Sequence, residues 1–149
     1  MHSIRRSTVL AATAAVALVG GTAAPAIAAP TAGRPLTATL TGANETGGGD
    51  LDGSGTARVT VNYGQSRLCF SIAVKGIAPA LAAHVHDGDA GANGPVIIPL
   101  TAPGADGTSR GCKTVTRSLL KGILTDPAGY YVNVHNVEFP GGAIRGQLG

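Results

Sequence analysis

From Leu36 onward, apolar and polar residues alternate with a period of two along much of the chain, the pattern of strands with one buried face. Leu36, Ala38 and Leu40 interleave with Thr37, Thr39 and Thr41. Ala57, Val59 and Val61 interleave with Thr56, Arg58 and Thr60, and Leu68, Phe70, Ile72 and Val74 oppose Cys69, Ser71, Ala73 and Lys75. Tyr63-Gly64-Gln65-Ser66 lies between the last two runs, so residues 56–75 predict a β-hairpin. Further strands are predicted at Ala82–His86, Val96–Leu100, Gly111–Thr116, Tyr130–Val137 and Ala143–Leu148, the last pair joined by Pro140-Gly141-Gly142. Only Ser118–Leu124 has helical spacing, with Leu119, Leu120, Ile123 and Leu124 on one side and Pro127 beyond its end. Seven or eight short strands separated by Gly, Pro and Asp turns predict an all-β fold, an antiparallel Greek-key β-sandwich with one short helix.

The first thirty residues break this pattern. His2, Arg5 and Arg6 precede an Ala/Val/Leu run from Thr8 to Val19 that is too short to span a bilayer and leads into small residues. Residues 1–28 therefore predict a signal peptide cleaved after Ala28, with Ala26-Ile27-Ala28 as the cleavage site, and 29–35 a short linker. Removing the leader takes away Arg5 and Arg6 and leaves nine Lys/Arg against eight Asp/Glu, so the basic character of the whole chain belongs partly to the leader. No stretch combines clustered Lys and Arg with aromatics, which argues against a nucleic-acid partner. No other apolar segment is long enough to cross a membrane, and the mature part, about 120 residues without an internal repeat, suits one domain and a monomer.

Export changes how the two cysteines are read. Cys69 and Cys112 would meet in a compartment where disulfides persist, so one bridge is expected, a free thiol being the alternative. Cys69 lies on the face away from Leu68 and Phe70, and Cys112 on the face away from Val115, so the bridge should join neighbouring strands on an outer face.

The concentrated chemistry lies in the histidines. In His84-Val85-His86 both imidazoles leave the strand on the same side, and His135 shares a face with Tyr131 and Asn133. A third imidazole brought alongside by strand pairing would complete a site for copper or zinc. The alternative is a solvated polar face on which the rings hydrogen-bond each other and the backbone. Asn133 could orient a ring. Arg145 could steer anions or orient a carboxylate, or pair with Asp87, Glu138 or strand-end carbonyls. Asp87-Gly88-Asp89 has D-x-D spacing but lacks the downstream Glu of a calcium loop, and is read as a turn. Asn44-Glu45-Thr46 has the form of a glycosylation sequon, discounted because the leader and the Ala/Gly/Arg-rich composition suit a bacterial exported protein.

Three blocks carry a resemblance: His84 to Val96 (HVHDGDAGANGPV), Tyr130 to His135 (YYVNVH) and Phe139 to Leu148 (FPGGAIRGQL). Together with Leu36 to Glu45 they resemble the chordin domain, CHRD, over residues 36–149. Ala143 departs from the family, which commonly has an acidic residue there. The resemblance implies a secreted β-domain with no assigned reaction. The order of the H-V-H strand, the later V-H strand and an arginine near the C-terminus also resembles the copper/zinc superoxide dismutase sandwich. That likeness implies copper ligands at His84, His86 and His135 and an anion-attracting guanidinium at Arg145, with redox activity as its strongest form. The bridging histidine and the zinc-site histidines of that family are missing.

Two functions follow. One is a non-catalytic module binding an extracellular protein or glycan, and the other is a histidine-based copper or zinc site. No nucleophile with a positioned base and carboxylate is visible, so no catalytic residue is assigned and a hydrolase is disfavoured.

Overall fold

The computed structural model describes residues 33–149, so the predicted leader and most of the linker lie outside the described residues. Eight antiparallel strands form one sheet: β1 (Arg34–Thr41), β2 (Ser54–Asn62), β3 (Arg67–Lys75), β4 (Ala82–Asp87), β5 (Val96–Leu100), β6 (Thr108–Thr114), β7 (Tyr130–His135) and β8 (Ile144–Gln147). One helix, α1 (Arg117–Thr125), precedes β7. The all-β class with a single short helix is as the alternation predicts, and no helix among the described residues is long and apolar enough to cross a membrane.

The strand order is β5-β4-β7-β8-β1-β2-β3-β6. Between β8 and β1 the ladder holds only one residue pair, Thr41 with Arg145, whereas β1 and β2 pair over eight. The sheet therefore turns a corner there and becomes two layers, β5-β4-β7-β8 and β1-β2-β3-β6, around one core. Thr37 and Gly149 exchange backbone hydrogen bonds of 2.8 and 2.9 Å along the same seam. The alternating apolar residues fill the interior: Leu36 and Leu40 from β1, Val59 from β2, Leu68 and Ile72 from β3, Val85 from β4 and Val132 and Val134 from β7 are all buried. Leu120 and Ile123 add the apolar side of α1, whose first turn is capped by the Thr116 side chain accepting from the Leu119 N–H.

Element ends depart from the predicted ones where polar side chains take over the backbone. β6 begins at Thr108, earlier than Gly111, because the Asp106 carboxylate accepts both the Thr108 N–H (2.9 Å) and hydroxyl (2.7 Å) and starts the strand from the turn. It stops at Thr114 because Thr116 serves as the N-cap of α1. β7 stops at His135 because the Asn136 side chain accepts from the Phe139 N–H and bends the chain away. β1 starts at Arg34, two residues before the alternation becomes visible.

Candidate metal centre

β4, β7 and β8 carry apolar residues on their inner side and a polar set on the outer side. That outer side is not a solvated face: Tyr131, Asn133 and Arg145 are each 1 or 2 % exposed and His86 is buried. The segments around Glu45, 88–95 and 136–142 fold over it. Strand pairing places His84 opposite Asn133, His86 opposite Tyr131 and Asn133 opposite Arg145.

The three histidines converge as their positions predict. One ligand atom from each of His84, His86 and His135 lies within 4.8 Å of the others, and among the described residues no other His, Cys, Asp and Glu side chains form such a group. Hydrogen bonds fix the tautomers. His86 Nδ1–H donates to the Gly94 carbonyl (2.9 Å), and His135 Nδ1–H donates to the Pro140 carbonyl (3.0 Å). Each of these rings therefore keeps its Nε2 lone pair for another partner. His135 Nε2 meets His84 Nδ1 at 3.1 Å, while His86 Nε2 is buried without a hydrogen-bond partner among the described residues. Tyr131 stacks on His86 with ring centres 4.6 Å apart and planes 9° from parallel, which fixes that ring's orientation.

The electrostatics favour neutral rings at His84 and His135. Burial lowers the His84 pKa from its ordinary 6.5, and the neighbouring His135 and His86 lower it further against the opposing pull of the Asn133 amide. Burial is also the main cause of the lowered His135 pKa, opposed by the bond to Pro140. A neutral imidazole with a free nitrogen lone pair and its other nitrogen bound to a backbone carbonyl is the form that ligates a metal. Metal–nitrogen distances of about 2.0–2.1 Å place tetrahedral ligand nitrogens roughly 3.3 Å apart, closer than the 4.8 Å within which these three atoms lie.

Arg145 takes a different place from the one the sequence suggested. Its partner is neither Asp87 nor Glu138 but Glu45, met by Nε at 2.7 Å with both side chains almost fully buried. Its other two nitrogens donate to the Ala92 carbonyl (2.9 Å) and the Asn93 Oδ1 (2.7 Å), and its guanidinium lies 4.3 Å from the centre of the Tyr131 ring. With all three nitrogens engaged and 2 % exposure, it clamps the 88–95 segment and presents no free charge to an incoming anion. Asp87 is exposed and, by strand alternation, lies on the side opposite His84 and His86, so it does not reach the histidines. Asn133 does lie beside them, close enough for its amide to raise the His84 pKa, although among the described residues its buried Oδ1 makes no hydrogen bond of good geometry.

Sequence reasoning missed Glu45, whose carboxyl is pushed up from its ordinary pKa by burial, against the hydrogen bond and charge of Arg145. The available signal was Gly142 in Pro140-Gly141-Gly142. Its φ of +140° and its contact with the Glu45 carboxylate, which a Cβ would overlap, mark a place where the backbone must approach a side chain. The cysteines fall as predicted: Cys69 and Cys112 sit directly opposite on β3 and β6 and form a disulfide on the outer face.

A family model described as CHRD domain matches residues 36–148. No curated protein and no solved structure matches the chain.

Proposed function

The chain belongs to the CHRD domain family, and from that premise we propose that it is an exported, non-catalytic binding domain that holds one copper or zinc ion on His84 Nδ1, His86 Nε2 and His135 Nε2. The observation that carries the metal reading is the buried, unpartnered Nε2 of His86 beside two other imidazoles. Leaving such an atom without a partner costs about 1–3 kcal/mol, which a bound ion would recover. An all-imidazole donor set suits zinc and copper better than magnesium or calcium, which prefer oxygen. Export is supported by the leader pattern of residues 1–28 and by the Cys69–Cys112 bridge. The family supports a binding role; with Arg145 committed to Glu45, the dismutase-like reading loses its anion guide.

The test is elemental analysis of the exported protein purified without added metal, followed by titration with zinc and copper(II). One ion per chain is expected, and His84→Ala/His86→Ala should retain none while keeping the β-sheet circular dichroism. Wild-type protein that neither retains an ion nor gains thermal stability from added zinc or copper would overturn the metal assignment.

A further inference from the structure

The two layers treat their outer faces differently. Loops cover the histidine side, whereas among the described residues no segment covers the centre of the β1-β2-β3-β6 face. Two adjacent rows cross it through the strand register: Thr37, Arg58, Ser71 and Arg110, then Thr39, Thr56, Ala73 and Thr108. All eight side chains are exposed, and the core-facing alternates beneath them are apolar in β1, β2 and β3. Arg67 and Lys75 lie on the same face of β3.

The charge on this face has one sign. None of the outward positions of these four strands is Asp or Glu, and none is aromatic. Arg58, Arg67, Lys75 and Arg110 make no side-chain hydrogen bond or ion pair among the described residues. Asp106, in the turn before β6, is bound to Thr108, and its carboxyl is lowered mainly by those bonds and also by the charge of Arg110. Arg58 and Arg110 stand on either side of Ser71, two strand spacings or roughly 10 Å apart at their backbones. They line one shallow depression of about 310 Å³ with Thr56, Ser71, Ala73 and Thr108. One row further along, the Cys69–Cys112 bridge fixes the β3–β6 register that sets this spacing.

We propose that this face binds an acidic polysaccharide bearing carboxylates along its chain. Two unengaged guanidinium forks are suited to bidentate contact with successive carboxylates, and the Thr and Ser hydroxyls between them can exchange hydrogen bonds with sugar hydroxyls. Single-stranded nucleic acid is disfavoured because the face offers no aromatic on which a base could stack. A membrane surface is disfavoured because the cations form no dense cluster beside an apolar helix or wedge. The proposal is independent of the histidine site, which lies on the other layer.

The test is calorimetric titration of the exported protein with polygalacturonate at low salt, with neutral dextran, poly-glutamate, single-stranded DNA and phosphatidylserine vesicles as comparisons. Binding to polygalacturonate that weakens with salt and drops at least about tenfold in Arg58→Gln/Arg110→Gln is expected. Arg58→Lys/Arg110→Lys, which keeps the charge but loses the forks, should fall between, and Lys121→Glu on the helix should change affinity less than about twofold. Thermal melts of each variant would confirm that these exposed positions leave the fold intact. Equal binding by wild type and the double Gln variant, or tighter binding to poly-glutamate, DNA or vesicles than to polygalacturonate, would overturn it.

Discussion

His84 Nδ1 and His135 Nε2 meet at 3.1 Å although the two residues are diagonal neighbours in the ladder, His84 pairing with Asn133 and His135 with Ala82. Because His135 gives its Nδ1–H to Pro140, its Nε2 must accept here, and the metal-free His84 carries its proton on Nδ1. A metal ion taking both nitrogens would move that proton to His84 Nε2 without net proton loss from neutral rings. Ring nitrogen NMR should therefore show His84 switching tautomer on zinc addition, while His86 and His135 keep theirs. At free zinc of about 100 times Kd the stabilisation should reach about 2.7 kcal/mol, and His135→Ala should remove both effects.

Acid should weaken the metal-free fold through the same rings. Burial lowers the pKa of His84 and of His135 below 6.5, so in acid the unfolded chain binds protons that the folded chain refuses. Their contribution is full above pH 6.5 and is lost as pH falls through the lowered values. Urea midpoints measured from neutrality down to about pH 5 should decline, and the decline should be shallower in His84→Ala/His135→Ala. Glu45, raised by burial, acts in the opposite sense and is common to both proteins, so the difference between the two profiles isolates the histidines. Identical profiles would contradict the buried neutral state.

Breaking the Glu45–Arg145 pair from one side should be costly. Either Glu45→Gln or Arg145→Met leaves the other group buried with its main partner altered, an effect of about 3–5 kcal/mol when a charge is stranded. Removing both should cost less than the sum, because no lone charge remains. Arg145→Met should also raise amide exchange in the 88–95 segment, since the contacts to Ala92 and Asn93 go with it. Denaturant unfolding and hydrogen exchange read the two effects separately.

The disulfide closes a segment spanning 43 positions and lies directly across the β3–β6 ladder. On the chain-entropy model it contributes about 3–4 kcal/mol, equivalent to roughly 10–20 °C in the melting temperature of a domain this size. Cys69→Ser/Cys112→Ser should show that loss in a thermal scan; an unchanged melt would mean the bridge does not constrain the unfolded chain.

β1, β2 and β3 could be located from sequence because each has one apolar face, and in β2 and β3 a one-residue slip would turn Val59 or Phe70 out of the core. The histidine trio was legible for the same reason, since pleating alone puts His84 and His86 on one side. The cover over that trio was not. Glu45 lies 100 positions from Arg145 and has no local pattern tying it to a cation, so the choice between Glu45, Asp87 and Glu138 depended on which loop folds across β8. The polar residues of β7 read as solvent-facing because alternation reports which side is apolar, not whether the other side is wet.

The single ladder pair between β8 and β1 has a consequence for how this domain is made. β7 and β8 occupy the middle of the strand order, yet they come last in the chain, and β4 reaches the other layer only through them. A nascent chain can assemble β1, β2 and β3 early, but the β4–β5 hairpin has nothing to dock on until the final segment emerges. Closure of the barrel-like shell therefore waits for β7 and β8, and pairing of the β4–β5 hairpin with the rest of the sheet is the step on which cooperative folding depends.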